Sequence, residues 1–271
     1  MTKQLKEKYA DLKRYLQGFD SLAVAFSGGV DSTFLLAAAK EVLGEKVTAI
    51  TLLSGFVPES EVKEATLFAA ALGVKHEFIR VDELDIPGVA ENPPDRCYFC
   101  KKALFKKIKS LAEKAEIQQV VDGSNLDDEG DYRPGMHALA ELGIKSPLRI
   151  AQLTKGEIRA LSRMLNLPSW DKPSFACLAS RIPYGEPITK EKLIMIETAE
   201  MFLMKQGFKQ MRVRCHDKLA RIEVPEADIP LFLNSAMREK IAEAFAKIGF
   251  IYTAIDIKGY RTGSLNEILK Q

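Results

Sequence analysis

The chain has little of several features that mark other protein classes. Its 271 residues include one tryptophan and three histidines, and the formal net charge is only +2. A net charge so close to zero does not show the excess of Lys and Arg that is typical of a nucleic-acid-binding protein. No apolar run approaches the roughly 18 residues of a membrane span, and the Lys-rich start reads as an amphipathic helix, not a signal peptide. We therefore expect a cytoplasmic protein without nucleic-acid or membrane partners.

Cysteine is also scarce. The four cysteines are Cys97, Cys100, Cys177 and Cys215. They could form two disulfides in a small secreted protein, but the chain is not small and carries no recognisable signal peptide. Metal or thiolate chemistry fits them better. The 46% hydrophobic content is ordinary for a globular chain with one large or two modest domains.

What stands out instead is SGGVDS at 27–32, which follows an apolar run at 22–26 and precedes a helical pattern at 34–42. Glycines let successive backbone N–H groups converge, and a helix N-terminus attracts anions. The stretch predicts a phosphate cradle; the alternative is a Gly-Gly turn capped by Ser27. The motif resembles the PP-loop of N-type ATP pyrophosphatases, and the Walker motif, GxxxxGK followed by Ser or Thr, is absent. The predicted ATP-binding residues here are Ser27, Gly28, Gly29, Asp31 and Ser32.

Short β-rich runs alternate with helical ones in the first part of the chain. The predicted strands are 22–26, 47–52, 76–81 and 119–122, and the predicted helices between and after them are 59–72, 97–115, 136–142 and 155–165. This alternation predicts the α/β class, an open parallel sheet with helices on both faces. Ligands of such sheets bind beyond the carboxyl ends of the strands. Asp122 and Gly123 follow the fourth strand, so we add both to the predicted ATP site.

A different pattern follows residues 169–187, which read as a long functional loop. A helix is expected at 189–206, a hairpin at 210–215 and 219–224, a helix at 235–248 and a strand at 250–257. We predict a PP-loop ATP pyrophosphatase domain at 1–180 and a smaller C-terminal α+β domain at 181–271.

The cysteines suggest a metal site. Cys97 and Cys100 are spaced i, i+3 at a predicted helix start, although such a pair could also only pack or be redox-active. Cys177 is the candidate third partner, and Arg181 could lower its thiol pKa and hold an anionic substrate. Three cysteines could bind a 4Fe-4S cluster with one open iron. A zinc site completed by Cys215 or His216 is the rival.

Two further groups of charged residues have two interpretations each. Arg212 and Arg214 alternate on one strand, which suits a phosphate or carboxylate clamp. Arg221 and Glu223 are expected across the hairpin on the same face, and a solvated hairpin with cross-strand ion pairs is the simpler interpretation. The acidic run is more typical of a solvated loop than of a metal site, although magnesium must lie near ATP. Its members are Asp127, Asp128, Glu129 and Asp131.

Motifs along nearly the whole chain resemble the LarE family of ATP-dependent sulfur transferases. They are SGGVDS, VVDGSNLDDEGDYRPG, SFACLASRIPYG, MRVR at 211–214 and DIKGYRTG at 256–263. The resemblance implies ATP with Mg²⁺ and adenylylation of the carboxylates of pyridinium-3,5-biscarboxylic acid mononucleotide. These become thiocarboxylates on the way to the nickel-pincer nucleotide. It also implies that Cys177 aligns with the sulfur-donating cysteine, near Glu200, Arg212, Arg214 and Glu223, with the arginines on substrate phosphate.

The cysteine pattern departs from the family's single-cysteine members, which use their cysteine sacrificially. This chain resembles the branch in which a 4Fe-4S cluster on Cys97, Cys100 and Cys177 would carry hydrosulfide. The resemblance therefore predicts Cys177, Asp31 and Arg181 as catalytic residues, a possible sulfide donor and a homo-oligomer. The alternatives are a PP-loop tRNA thiolase, a nucleotide-binding regulator with structural zinc and an amide-forming synthetase, although no glutaminase domain is recognisable.

Overall fold

The computed structural model describes residues 2–130, 134–173, 176–261 and 263–270. Asp131 of the acidic run and the first two residues of SFACLASRIPYG lie outside these ranges. The chain divides into two compact units, one of residues 1–82 and 97–175 and the other of residues 83–96 and 176–271. The boundary expected at 180/181 stays a prediction.

The first unit contains a four-stranded parallel sheet with the order β3-β2-β1-β4. Its strands are β1 (Leu22–Ala25), β2 (Val47–Leu53), β3 (Lys75–Arg80) and β4 (Gln119–Val121). Each bound lies within one residue of its prediction, which confirms the parallel α/β sheet. The order places β1 between β2 and β4, so the chain reverses its direction of travel beside β1. A crevice for ligands forms at such a point.

Seven α-helices among the described residues belong to this region. They are α1 (Lys3–Gln17), α2 (Val30–Leu43), α3 (Glu59–Ala71), α4 (Arg96–Lys114), α5 (Pro134–Glu141), α6 (Pro147–Ile150) and α7 (Lys155–Met164). Helix α2 starts four residues before the predicted position, because its first turn carries the polar end of SGGVDS. No helix in the described part of the chain is long and apolar enough to cross a membrane.

Both faces of the sheet are apolar, which explains the two helical layers. Leu22 and Val24 of β1 belong to one core cluster with α1, α2 and α7, whereas Ala23 belongs to another with α4 and α5. Successive strand residues point to opposite faces, so a continuous apolar run supplies both clusters. A parallel sheet covered on both faces needs this pattern.

The second unit contains a smaller sheet with the order β5-β6-β7. Its elements are α8 (Lys190–Lys205), β5 (Arg212–His216), β6 (Leu219–Glu223), α9 (Ser235–Ile248) and β7 (Tyr252–Ile255). Strands β5 and β6 are antiparallel, which confirms the predicted hairpin, and β7 adds to β6 in parallel. The mixed α+β character of this part is as expected.

Residues 83–96 join this second unit. The buried Asn92 side chain donates hydrogen bonds to the carbonyls of Ile182, Pro183 and Glu186 at 3.2, 2.7 and 3.0 Å. Arg96 donates to the Ala179 carbonyl at 3.1 Å. These bonds hold the loop that carries Cys177, which sequence periodicity showed only as irregular.

Candidate active site

SGGVDS forms a backbone cradle between β1 and α2. Gly29 is the N-cap of α2, and no side chain of the described residues caps this helix. Its first N–H groups therefore lack a capping acceptor from a side chain, which favours an anion there. The Ser27 hydroxyl accepts from the amide of Gly29 itself, at 3.4 Å, and not from an amide within α2, so Ser27 does not cap this helix.

Gly28 must be glycine for two reasons. Its φ of 71° lies in the left-handed region, and a Cβ there would lie 2.9 Å from Cβ of Ala65 on α3. The two motif serines join the cradle: the Ser27 and Ser32 hydroxyl oxygens lie 3.1 Å apart, and the Ser32 hydroxyl donates to the Gly29 carbonyl at 3.2 Å.

The residues that follow β4, Asp122 and Gly123, lie against the same cradle. A Cβ on Gly123 would lie 3.1 Å from the Ser32 amide nitrogen, so glycine permits this close approach. The buried Asp122 carboxylate accepts hydrogen bonds from the hydroxyls of Ser124 and Ser146, the latter at 2.6 Å. The structure thus brings the predicted β4 residues to the PP-loop, at the crevice between β1 and β4.

Asp31 pairs with a lysine that the sequence analysis did not select. Lys155 Nζ lies 2.5 Å from Asp31 Oδ2, whereas Asp31 Oδ1 is buried without a hydrogen-bond partner among the described residues. Burial raises the pKa of Asp31, and the charge of Lys155 opposes that rise. A lysine in the first turn of a helix opposes the helix dipole; that anomaly is the sequence signal for Lys155.

A second lysine holds the cradle from the other side. Lys172 Nζ lies 2.9 Å from Glu61, 2.6 Å from Glu64 and 3.4 Å from the carbonyl oxygen of Gly28. Its side chain is only 10% exposed. Lys172 therefore links the PP-loop to α3, and sequence reasoning missed it because it lies in the irregular stretch after α7.

The second unit contains a cluster of buried arginines. Arg181 Nε and Nη2 donate to the two carboxylate oxygens of Glu200, both at 2.9 Å. Arg181 Nη1 donates to the carbonyls of Ala176 and Cys177 at 2.5 and 3.1 Å. This guanidinium thus holds the backbone of the Cys177 loop, while Cys177 itself is exposed.

Arg212 and Arg214 lie on β5 beside this pair. Arg214 donates to both oxygens of Glu223, at 3.0 and 2.7 Å, and to the hydroxyl of Ser264 at 2.7 Å. The guanidinium of Arg212 lies 5.3 Å from the centre of the Tyr260 ring. Burial, with the nearby charge of Arg181, lowers the pKa of Arg212 to about 10. Arg212, Arg214 and Glu223 are buried, so the solvated-hairpin interpretation does not hold for them.

The four cysteines lie in three environments. Cys97 and Cys100 are half-buried in the first turns of α4, Cys177 is exposed and Cys215 is buried. Burial raises the pKa of Cys215 to about 11, and its thiol donates to the Asp217 carbonyl at 3.3 Å, as in an ordinary strand residue. Within the described ranges, no group of three or more His, Cys, Asp or Glu residues is placed to hold a metal.

Comparisons with known proteins agree with this arrangement. Residues 5–91, which include the cradle, match the NAD synthase family. The pyridinium-3,5-bisthiocarboxylic acid mononucleotide synthase of Lactiplantibacillus plantarum is 36% identical over 98% of this chain and 96% of its own length. Uncharacterized proteins of Synechocystis sp. and Methanocaldococcus jannaschii are 41% and 31% identical, over 98% and 95% of this chain and 99% and 94% of their own lengths.

Proposed function

Because the chain belongs to the LarE family of ATP-dependent sulfur transferases, we propose that its substrate is pyridinium-3,5-biscarboxylic acid mononucleotide. The enzyme adenylylates the carboxylates of this molecule and replaces them with thiocarboxylates, on the way to the nickel-pincer nucleotide. The observation that carries the proposal is the end-to-end similarity to a bisthiocarboxylic acid mononucleotide synthase.

The first step uses the cradle. A substrate carboxylate oxygen attacks the α-phosphorus of ATP, the bond to the β-phosphate oxygen breaks and pyrophosphate leaves. The uncapped start of α2, with Gly28 and Gly29, supports binding of the departing phosphates. Ser27, Ser32, Asp122 and Gly123 complete the proposed nucleotide site. The unpartnered Oδ1 of Asp31 among the described residues is an oxygen ligand of the type that magnesium prefers, and a bound Mg²⁺ would neutralise phosphate charge.

The second step transfers sulfur. A sulfur nucleophile attacks the acyl carbon, and the bond between that carbon and the AMP oxygen breaks, so AMP leaves with the electron pair. The exposed Cys177 supports a role at the acyl group. Arg181 is fully buried against Glu200, so we propose that it positions the Cys177 loop through backbone carbonyls.

The buried arginines support recognition of the substrate phosphate. Arg214 is oriented by its two bonds to Glu223. The guanidinium of Arg212 contacts the face of the Tyr260 ring, and the positive charges of Arg181 and Arg214 act on it. A crowded, desolvated cation gains much from a dianionic partner. We propose Arg212 and Arg214 as the phosphate clamp, with Glu200 and Glu223 as the residues that orient it.

We propose further that Cys97, Cys100 and Cys177 ligate a 4Fe-4S cluster. Such a cluster leaves one iron open to hold sulfide when three cysteines bind it, and it would need a sulfide donor. In the described ranges, no three side chains of the types that bind metals are grouped to hold an ion. Anaerobic reconstitution followed by absorption and EPR spectroscopy tests it. The homo-oligomer also stays a prediction.

The function is tested with purified protein, ATP, magnesium, sulfide and the pyridinium mononucleotide under anaerobic conditions. Wild type is expected to release AMP and to form thiocarboxylate. Cys177→Ala should still form AMP and lose the thiocarboxylate, whereas Ser27→Ala and Asp31→Asn should lose AMP. Cys215→Ala is the matched control, because its thiol lies on β5 and takes no part in the proposal.

Intact protein mass separates the two origins of the sulfur. Product in excess of enzyme, with Cys177 unchanged, would support sulfide carried on a cluster. Product limited by enzyme, with hydrogen sulfide lost from Cys177, would show sacrifice of the cysteine. Folded, cluster-loaded protein that makes no thiocarboxylate would contradict the proposed substrate and favour the tRNA thiolase.

A further inference from the structure

The ion pair between Asp31 and Lys155 lies inside the ATP site but has no part in the steps above. Lys155 is the first residue of α7, and its own amide donates to Asp127 Oδ2 at 2.8 Å. Helix α7 already has a complete capping box, made by Thr154 and Glu157. The start of the helix therefore does not require the lysine side chain.

The pair satisfies only half of the Asp31 carboxylate. Lys155 Nζ lies 2.5 Å from Oδ2, with 28% of the lysine side chain and 21% of the aspartate side chain exposed. The other oxygen, Oδ1, is buried and has no hydrogen-bond partner in the described part of the chain. A carboxylate in the first turn of α2 would repel phosphate groups in the cradle unless a cation neutralised it.

Besides the electrostatic attraction of Arg159, two cations can contact the Asp31 carboxylate directly, namely the Lys155 ammonium and a divalent metal, and each weakens binding of the other. A divalent cation on Oδ1 would lie beside the ammonium on Oδ2, and like charges at such short range repel strongly. Conversely, an ammonium displaced from Asp31 remains at the rim of a cradle built for anions. Its four-carbon stem is flexible enough to change partner.

We propose that Lys155 is a positioning residue that competes with the divalent cation for Asp31. In the ATP-free protein its ammonium neutralises the carboxylate. When the metal and ATP bind, the ammonium exchanges Asp31 for a phosphate oxygen of the nucleotide. The inference rests on ATP use, whichever carboxylate substrate is adenylylated.

The test measures metal binding without ATP. Mn²⁺ replaces Mg²⁺ as the probe, and EPR gives its Kd for wild type, Lys155→Met and Lys155→Gln. Removing the competing charge is expected to tighten Mn²⁺ binding at least about tenfold, the effect of an ammonium on a divalent cation about 4 Å away even at the dielectric constant of water. Lys155→Arg keeps the charge and should bind Mn²⁺ as wild type does.

Pyrophosphate release supplies the second measurement. The two neutral variants should show a raised KM for ATP and a lower kcat, with Lys155→Arg intermediate. Tighter metal binding together with poorer ATP use is a combination that loss of folding does not produce. Lys8→Met is the matched control, since Lys8 pairs with Glu157 on the same helix at 2.8 Å; it should change neither quantity.

Equal or weaker Mn²⁺ binding in both neutral variants, with circular dichroism showing folded protein, would overturn the inference and leave the pair as a structural contact. Failure of sulfur transfer in wild type would not affect the Mn²⁺ measurement. The two proposals can therefore fail separately.

Discussion

Glu200 accepts two hydrogen bonds of 2.9 Å from Arg181, and both side chains are buried, with 0% of Arg181 and 7% of Glu200 exposed. Glu200 Oε1 also accepts from the Val213 amide at 3.0 Å. The pair thus joins α8, β5 and the Cys177 loop. Removing the carboxylate would leave a buried guanidinium without its counter-charge.

We therefore expect Glu200→Gln to destabilise the protein by about 3–5 kcal/mol, the range for one lost partner of a buried ion pair. Glu186→Gln is the control, because the Glu186 pair with Lys192 is partly exposed, at 32% and 16%. This substitution should lower the free energy of unfolding by less than about 1 kcal/mol. Urea unfolding measures both values. A Glu200 variant as stable as its control would contradict the importance of the buried pair.

Gly28→Ala should lose AMP formation and stability together. The variant combines a positive φ of 71° with a Cβ placed 3.0 Å from Cα of Ala65. Gly73→Ala has a similar φ of 61°, but nothing lies within 4 Å of its added Cβ. Gly73→Ala therefore measures the loss in free energy of unfolding that the positive φ alone causes, about 1 kcal/mol or somewhat more. Calorimetry and AMP release separate the two contributions; equal behaviour of both variants would show that the clash with α3 is relieved.

Arg212→Met is expected to raise the KM for the mononucleotide at least tenfold, because one charge-assisted hydrogen bond to phosphate contributes about 1.5–3 kcal/mol. The KM for ATP should stay unchanged, since the cradle lies in the other unit. Lys218→Met is the control on the same hairpin, because Lys218 is exposed in the turn between β5 and β6. Steady-state kinetics with each substrate varied in turn would contradict the clamp if the two variants behaved alike.

The cysteines should differ sharply in their rates of alkylation. At pH 8, iodoacetamide is expected to modify the exposed Cys177 first. Cys215 should resist until the protein unfolds, because burial excludes the reagent and raises the pKa of this thiol to about 11. Peptide mass spectrometry after timed quenching measures each site. Modification of Cys215 in the folded protein at the rate of Cys177 would refute the buried assignment.

Acidification should lower the free energy of unfolding of the protein through protonation of His76. Thr51 donates to the Phe26 carbonyl at 2.7 Å and so accepts from His76 Nε2, also at 2.7 Å. Nδ1 is buried without a hydrogen-bond partner among the described residues. Burial lowers the pKa of His76 in the folded protein. As the pH drops below the unfolded value of about 6.5, the unfolded chain therefore binds more protons than the folded protein does, and the free energy of unfolding decreases.

The His76 contribution is measured by urea unfolding at pH 7.5 and pH 5.5. Wild type should lose more free energy of unfolding on acidification than His76→Phe does. His137→Phe, at an exposed position on α5, should lose as much as wild type. An identical loss in all three proteins would assign the acid sensitivity to other groups.

Much of the first unit could be predicted because its signals are local. The strands β1 to β4 are short apolar runs, and both the cradle and the helix that follows are contiguous in the chain. The early start of α2 was missed because Val30, Asp31 and Ser32 carry no helical periodicity. The turn is formed by a backbone hydrogen bond, from the Thr33 amide to the Gly29 carbonyl at 2.9 Å, and not by a side-chain pattern.

The site residues divide in the same way. SGGVDS and the alternation of Arg212 with Arg214 were readable from spacing alone, since a strand places every second residue on one face. Their burial was not readable, because it depends on Glu200 of α8, on Glu223 of β6 and on Ser264 near the C-terminus.

The strands of the sheet, the phosphate cradle and the shared face of the two arginines could be predicted from the sequence, since each depends on residues within a few positions of one another. Three contacts required the folded chain: Lys155 neutralises Asp31 from 124 residues away, Lys172 contacts the Gly28 carbonyl, and Arg181 binds Glu200 and the backbone of the Cys177 loop. Such contacts form where distant segments pack together, and electrostatic energy depends on distance and burial in the folded chain.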